Sequence, residues 1–377
     1  MFSRTNFELA DSQACFIHDL AYDYFGNRVA TCSSDQKIKI WQKSGTGKWT
    51  PACAFKAHES TIFKVKWAHP DFGSILASCS YDRSVIIWEE KGKGPNRNRS
   101  GFREDEESSS SIFIERAKLI DNKESIEDIK FGPKHLGLIL ASASADGYIR
   151  IYTAPDLTNI SEWKRIHEIR VNTLGINSIS WNKNPTEPPM IAVAAKDSNT
   201  SFMNKKGITT EYIPQMNVDN VSPINEDKLV LVYVLRENTW NLLGELKSEE
   251  KCHKNAVNDV SWAILNGRSF HMVASCGKDG VFIWYIKIEN KETKDISLSV
   301  IGTQLINNNV TVWKVSWNIL ATLLAYSGQD GKVRICKCGY DRKWQVSAEF
   351  EEEEFEEDYP KLIKGEDRIL SLSLNPK

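Results

Sequence analysis

His58, Ser78 and Asp82 carry the side-chain types of a hydrolytic triad, in which an imidazole takes the proton of an attacking hydroxyl and a carboxylate orients the ring. The same three types return as His253, Ser275 and Asp279, again with serine and aspartate four positions apart. A reaction centre has no reason to recur with the period of the fold. The economical reading is a buried hydrogen-bond chain tying a turn to a neighbouring loop in more than one place. Partial copies support it: Thr31 and Asp35 precede Trp41, and Ser142 and Asp146 precede Tyr152. No phosphate-binding glycine loop, HExxH helix or GxSxG elbow accompanies them, so no catalytic residue is expected.

Eight cysteines raise the question of metal. Cys32, Cys79 and Cys276 each stand three residues before an aspartate, where other copies of the same pattern have Ala143, Ala194 and Ser327. The position asks for a small buried side chain. Cys336 and Cys338 lack a second pair at zinc spacing, and Cys252 with His253 is an isolated neighbour pair. Neither metal nor cofactor is expected.

The elements that must hold these residues repeat six times. Small apolar residues run into an Asp-led turn, followed by an apolar-polar-apolar strand that usually closes on an aromatic. Examples are Val29 to Asp35 into Trp41, Leu76 to Asp82 into Trp88, and Leu140 to Asp146 into Tyr152. The pattern returns at Ile191 to Asp197, at Met272 to Asp279 into Tyr285, and at Leu324 to Asp330 into Cys336. Before each copy lies a strand of alternating polarity, Ile17 to Tyr22, Ile62 to Trp67, Ile126 to Phe131, Ile176 to Trp181, Val257 to Trp262 and Val312 to Trp317. A fourth strand follows each copy, beginning with Trp49 to Phe55 and ending with Trp344 to Phe350. Four strands in each of six units predict an all-β propeller.

These residues resemble the WD40 repeat family along almost the whole chain, although Trp41 is followed by Gln42 and Trp88 by Glu89 rather than by aspartate. The resemblance implies a chain of loop His, strand Ser or Thr, turn Asp and strand Trp. All four are present as His58, Ser78, Asp82 and Trp88; the fifth unit has His253, Ser275 and Asp279, with Tyr285 standing where the Trp belongs. Thr31, Asp35 and Trp41 form the set without its His, and Ser142 and Asp146 are joined by Tyr152.

The turn aspartates stand 47, 64, 51, 82 and 51 residues apart, against about 40 to 45 for a bare blade. The surplus predicts poorly ordered loops at about 91–111, rich in charge and serine, and at 198–227. Residues 1–350 are assigned to the propeller and 351–377 to an acidic tail in which Arg368 to Leu374 alternates like another strand. The acidic run from Glu349 to Asp358 reads as a solvated segment. A net charge of −2 supplies no field that would gather nucleic acid. No apolar run is long enough to span a membrane, and Met1 to Ala14 lacks a signal-peptide core.

No strand from one end visibly completes the unit at the other. An unfinished propeller exposes strand edges and apolar blade faces, which suits it to accept a β-segment from another protein. A narrower likeness points the same way. Ile17-His18-Asp19 through Ala30 to Gln36, Trp67 to Gly73 through Leu76 to Arg83, Phe131 to Leu138, Ile149 to Leu157, Gly267 to His271 and Val312 to Asn318 resemble the Sec-thirteen-homologue nucleoporins, partly in loops that general WD40 patterning does not dictate. That resemblance implies an open six-bladed scaffold of the Y-shaped nuclear pore subcomplex, completed in trans by a β-blade from a helical nucleoporin. It also implies other Y-complex nucleoporins and SEA/GATOR-type subunits of a TOR-regulating coat as partners. Its implied places are the nuclear envelope and the vacuolar or lysosomal surface, without direct nucleic-acid binding. The competing reading is a substrate receptor of a ubiquitin ligase or a histone-tail reader.

Overall fold

The alternating segments form strands, and in a computed structural model these assemble into six antiparallel sheets, each taking four consecutive strands of the chain as one blade of a WD40 β-propeller. Described are residues 15–45, 47–91, 112–157, 159–196, 229–248, 252–290, 296–306, 310–352 and 372–373. The loops expected at 91–111 and 198–227 lie almost wholly outside these residues, as do Asp197 and most of the acidic tail.

Blade one comprises β1 (Ile17–Tyr22), β2 (Arg28–Ser33), β3 (Lys37–Lys43) and β4 (Trp49–Lys56). Blade two follows as β5 (Ile62–Trp67), β6 (Ile75–Ser80), β7 (Val85–Lys91) and β8 (Ile112–Leu119). Blade three is β9 (Ile126–Phe131), β10 (Ile139–Ser144), β11 (Tyr148–Thr153) and β12 (Lys164–Arg170). Blade four is β13 (Ile176–Trp181), β14 (Met190–Ala195), β15 (Val230–Arg236) and β16 (Thr239–Glu245). Blade five has β17 (Val257–Trp262), β18 (His271–Gly277), β19 (Gly280–Asn290) and β20 (Ile296–Ile306). Blade six has β21 (Val312–Trp317), β22 (Leu323–Gly328), β23 (Val333–Cys338) and β24 (Trp344–Glu352), and β25 (Leu372–Ser373) adds a fifth strand beside β24.

Two compact units result. One is built on blades one and two and includes Tyr152–Ile166; the other holds Ala143–Ile151 and the chain from His167 to Glu352. Within each, a second strand is buried on both faces, every residue of Ile75–Ser80 and of Met190–Ala195 being covered, whereas Leu323–Gly328 of blade six is mostly half-buried. Small side chains make this possible, because a sheet flanked by two others has room for alanine, serine and cysteine at its closest approach. Ala21, Ala30, Cys32, Ile38 and Ile40 of blade one pack against Ile62, Val65, Leu76 and Ile86 of blade two. In the second unit, Ala274, Cys276, Val281 and Ile283 of blade five pack in the same way against Val312, Val315 and Leu324 of blade six. Cys32, Cys79 and Cys276 are fully buried in these layers, and burial pushes the Cys32 thiol up to about 12.

The first strands carry a bulge at their second residue, seen at His18, Phe63, Asn177, Asn258 and Trp313. The extra residue points the strand at its neighbour. Asn177 Nδ2 donates to Val257 O and Asn258 Nδ2 to Val312 O, both at 2.8 Å. The next residue is often aspartate, with a parallel duty. Asp19 accepts from Val65 N at 3.3 Å and Lys66 Nζ at 2.5 Å. Asp259 accepts from Ser178 Oγ at 2.6 Å and from Val315 N at 3.1 Å, joining blades four, five and six through one carboxylate.

The Asp-led turns place their next residue at positive φ: Gln36 at 67°, Arg83 at 68°, Gly147 at 82° and Gly331 at 74°. Glycine is required for a second reason at one of them, since a Cβ on Gly147 would stand 2.0 Å from Asn172 O. Gly147→Ala should therefore lower the unfolding free energy by about 1–3 kcal/mol or more. An unchanged urea midpoint would contradict this geometry.

Candidate functional site

In blade two the four expected residues meet. Trp88 Nε1 donates to Ser78 Oγ at 2.9 Å, Ser78 Oγ and His58 Nε2 are 2.8 Å apart, and His58 Nδ1 lies 2.9 Å from Asp82 Oδ2. Both ring nitrogens of His58 are thus engaged, Nε2 with the Ser78 hydroxyl and Nδ1 with the Asp82 carboxylate. Ser84 Oγ adds a 2.6 Å bond to Asp82 Oδ1. Burial pushes the Asp82 carboxyl up, but the hydrogen bonds from His58 and Ser84 outweigh it and hold the group well below the usual carboxylate range. Chemically the arrangement has no access: Ser78 is fully buried and the His58 side chain is fully covered. A nucleophile that meets no substrate does no chemistry.

Blade five repeats the chain with a different aromatic from the one its spacing suggests. Trp284, not Tyr285, donates Nε1 to Ser275 Oγ, at 2.8 Å, and Ser275 Oγ lies 2.7 Å from His253 Nε2. Here Gly277 pairs directly with Gly280, so the hairpin is one residue shorter than the Asp-led hairpin of blade two, and each later side chain changes face. Tyr285 serves blade six instead, its hydroxyl accepting from Trp344 Nε1 at 2.9 Å. His253 Nδ1 stands 3.6 Å from Asp279, too far for a hydrogen bond, and Asn255 Nδ2 holds that carboxylate at 2.6 Å.

Blade one has Trp41 Nε1 on Thr31 Oγ1 at 3.0 Å, while Asp35 bonds within its own turn to Ser33 Oγ and Lys37 N. In blade three Ser142 and Tyr152 are buried, but no hydrogen bond joins Ser142 to Asp146. Asp146 turns to Arg150 at 2.9 Å, and Arg150 reaches Glu168 at 2.8 Å. Blade six has the same device in Asp330, Arg334 and Glu349, at 2.5 and 3.1 Å. Glu349, at the head of the acidic run, is thus paired to strand β23 rather than simply solvated. An arginine four residues after the turn aspartate, with a glutamate on the fourth strand, replaces the histidine. The amino-acid order spells this chain as Asp-x-x-x-Arg, which lies outside the WD40 pattern.

A second feature concerns exposure. The first residue of the first strand is at most 1% exposed in Ile62, Ile126, Ile176, Val257 and Val312, but 47% in Ile17. The fourth is at most 5% exposed in Val65, Ile129, Ile179, Val260 and Val315, but 53% in Leu20. Blade one presents to solvent the face that blade two buries against it. On blade six, Trp313, whose counterparts Asn177 and Asn258 bond to the following blade, is 51% exposed, and Val333 and Ile335 are only half-buried.

Ser78→Ala should cost about 1–3 kcal/mol by leaving Trp88 Nε1 and His58 Nε2 buried without their shared partner. Acid should act on the same chains. Asp82 and Asp279 are held below their ordinary values, so the unfolded state binds more protons, and their contribution is lost as pH falls below about 4. Burial lowers His253 as well, so its contribution declines earlier, below about pH 6.5. An unfolding midpoint flat between pH 7 and pH 3 would refute both.

The profile described as "WD domain, G-beta repeat" matches residues 7–42 and 49–89. Nucleoporin SEH1 of Osmerus mordax is 40% identical over 337 residues, covering 88% of this chain and 83% of its own. Nucleoporin SEH1-A of Xenopus laevis is 39% identical, with 87% and 83% covered. Nucleoporin SEH1 of Homo sapiens is 38% identical over 340 residues, with 88% and 84% covered. Six four-stranded blades, the buried His–Ser–Asp–Trp chain and likeness through nearly the whole length lead to one conclusion: the chain belongs to the SEH1 family of WD40 nucleoporins.

Proposed function

We propose that this chain is a structural scaffold of the nuclear pore that works by accepting a β-blade from a helical nucleoporin of the Y-shaped subcomplex. The observation that carries the reading is the bared face of blade one. Ile17 and Leu20 occupy positions that five other blades bury, and each half-exposed aliphatic side chain gains about 1 kcal/mol when covered. A sheet suits such a face, because the matching first strands of blades two, three, five and six each pack against the sheet before them. The donated blade would pack face to face on the bared strand, with Asp19-type carboxylates and bulge side chains providing register, and apolar pockets providing selectivity.

The His58–Ser78–Asp82–Trp88 and His253–Ser275–Asp279–Trp284 chains then have a structural role. They fix the turns that hold each blade rigid, as do Thr31 with Trp41 and Asp146 with Arg150. The family is a structural one, and the buried Ser78 offers no route to catalysis. Support of nucleocytoplasmic transport of protein and mRNA follows from a place in the pore scaffold. A second role in a SEA/GATOR-type nutrient-sensing coat at the vacuolar or lysosomal surface uses the same face on a different helical partner. Both settings would demand only blade packed against blade.

The test is co-purification with the N-terminal blade-donating segment of the helical nucleoporin. The wild-type chain should form a stoichiometric complex, and Leu20→Asp, which puts a charge into the covered face, should abolish it while leaving the far-ultraviolet spectrum intact. A monodisperse chain that ignores the segment would overturn the reading. Recovery of cullin components or histones in place of nucleoporins would favour the receptor alternative.

A further inference from the structure

Consecutive blades touch through more than their faces. The loops between first and second strands also meet, each pair in its own chemistry. Tyr24 of blade one lies edge-on to His69 of blade two with ring centroids 4.9 Å apart. Asp71 of blade two is paired with Lys134 of blade three. Glu187 of blade four meets His271, the first residue of β18 in blade five, at 3.0 Å. Asn266 Nδ2 and Arg268 of blade five donate to the carbonyls of Leu320 and Ala321 in blade six, at 3.0 Å for Asn266 to Leu320 and for Arg268 to Ala321. Face burial and loop contact thus go together in four blade-to-blade junctions.

The loop of blade one is a tight turn, and it is rigid. Asp23 Oδ1 accepts from Asn27 N at 2.8 Å and Arg28 N at 3.1 Å, and Gly26 closes the turn at φ 70°. Arg28 is fixed in its turn by Glu90 at 2.5 Å and by stacking 4.8 Å above Trp67. At its tip this frame carries Tyr24 and Phe25, 68% and 67% exposed, ring against ring at 5.3 Å. A cleft of about 140 Å³ opens beside them, lined in part by Trp67 and Pro70. Blade six builds the same turn from other residues: Asn318 Oδ1 accepts from Thr322 N and Leu323 N, Ala321 stands at φ 52°, and the tip residues Ile319 and Leu320 are 81% and 59% exposed. Two large apolar side chains on a preorganised turn bind without the entropy cost of ordering a loop.

We infer that the Tyr24–Phe25 tip is a second, selective contact for the donated blade: it receives an apolar or aromatic side chain from the loop joining that blade's first two strands. The inference rests on the blade-accepting reading above and says what the partner must bring to it. The tip directly continues the bared face, two residues beyond Tyr22, itself 47% exposed. Its side chains do not offer the salt-bridge solution seen elsewhere in this chain. The carboxylate of Asp23 and the guanidinium of Arg28 are both engaged in holding the turn, so a salt bridge like Asp71 to Lys134 is not on offer, whereas an aromatic or aliphatic anchor covers both rings. Phe25 is the sharper determinant, because Tyr24 already spends one edge on His69 and Phe25 does not. The β1 face would accept any well-shaped sheet; the tip distinguishes donors by one side chain.

The experiment is isothermal titration of the full chain with the blade-donating segment, using wild type, Phe25→Asp and Phe25→Leu. Both substitutions lie at an exposed position, and thermal unfolding of each free variant should match wild type. Phe25→Asp is expected to raise Kd about ten- to a hundredfold, and Phe25→Leu to restore most of the affinity. Equal affinities for all three would overturn the tip assignment while leaving the accepted blade in place. Failure of the wild-type chain to bind the segment would instead remove the reading on which the tip depends. A loss shared by Phe25→Asp and Phe25→Leu would also count against it, since an apolar anchor tolerates leucine.

Discussion

A propeller blade is a sheet with two apolar faces, and that constraint governs everything else in this molecule. A helix or a surface sheet can turn a polar side to water; strand β6, buried at every residue, cannot. Each blade is therefore stable only between neighbours, and the energetic unit is the junction rather than the blade. The junctions of blade one with two, four with five and five with six share a design. A bulged first strand aims an asparagine or an aspartate at the next blade, aliphatic side chains of two sheets interdigitate, and loops meet at one end. Where a junction lacks its second partner, the aliphatic positions stay but their covering is missing, as Ile17 and Leu20 show by contrast with five buried counterparts.

The hydrogen-bond chains answer a different demand, the stiffness of each blade's own turn. Their variety is informative. Blade two uses histidine between serine and aspartate; blade five lets asparagine carry the aspartate; blades three and six substitute a buried arginine between two carboxylates. The constant element is the turn aspartate, whose oxygens accept backbone N–H groups at Lys37, Ser84, Tyr148 and Lys332. Given that anchor, any donor of the right length completes the chain, so sequence drift at the other positions costs little. Repetition of the motif with changing chemistry is what a structural role permits and an active site does not.

Much of this architecture is legible in the order of the amino acids alone. Alternating polarity locates the first strands to the residue, because burial of one face dictates a period of two, and the Asp-led turns mark each central hairpin. The chain His58, Ser78, Asp82 and Trp88 is legible because its members sit at family spacing. Trp284 is not, since a two-residue turn between Gly277 and Gly280 removes one residue and moves the burden from Tyr285 to its neighbour. Pattern reading counts positions; hydrogen bonding counts faces, and a single deletion separates the two. The arginine chains escape for a related reason: Arg150 and Arg334 sit at the polar middle of an apolar-polar-apolar strand, where a solvated charge is the ordinary reading, and only the carboxylates on either side reveal that these two are buried and paired. Exposure of Ile17 and Leu20 is beyond sequence altogether, because their types match those of their buried counterparts and only the surroundings differ.

That last point bears on how such a scaffold stays specific. An apolar face made of generic isoleucine and leucine adheres well but discriminates poorly, and a protein with such a face must limit its partners by other means. Within this chain the discriminating groups are never the aliphatic ones. They are the polar or aromatic residues at the rims of the junctions: Asp71 against Lys134, Glu187 against His271, Arg268 against the carbonyl of Ala321. Chain connectivity sets the order of the blades, and the rims give each of these junctions its own chemistry while the faces supply cohesion. Blade one shows the same division, a plain aliphatic face beside a turn, held by Asp23 and Gly26, that bears two exposed rings.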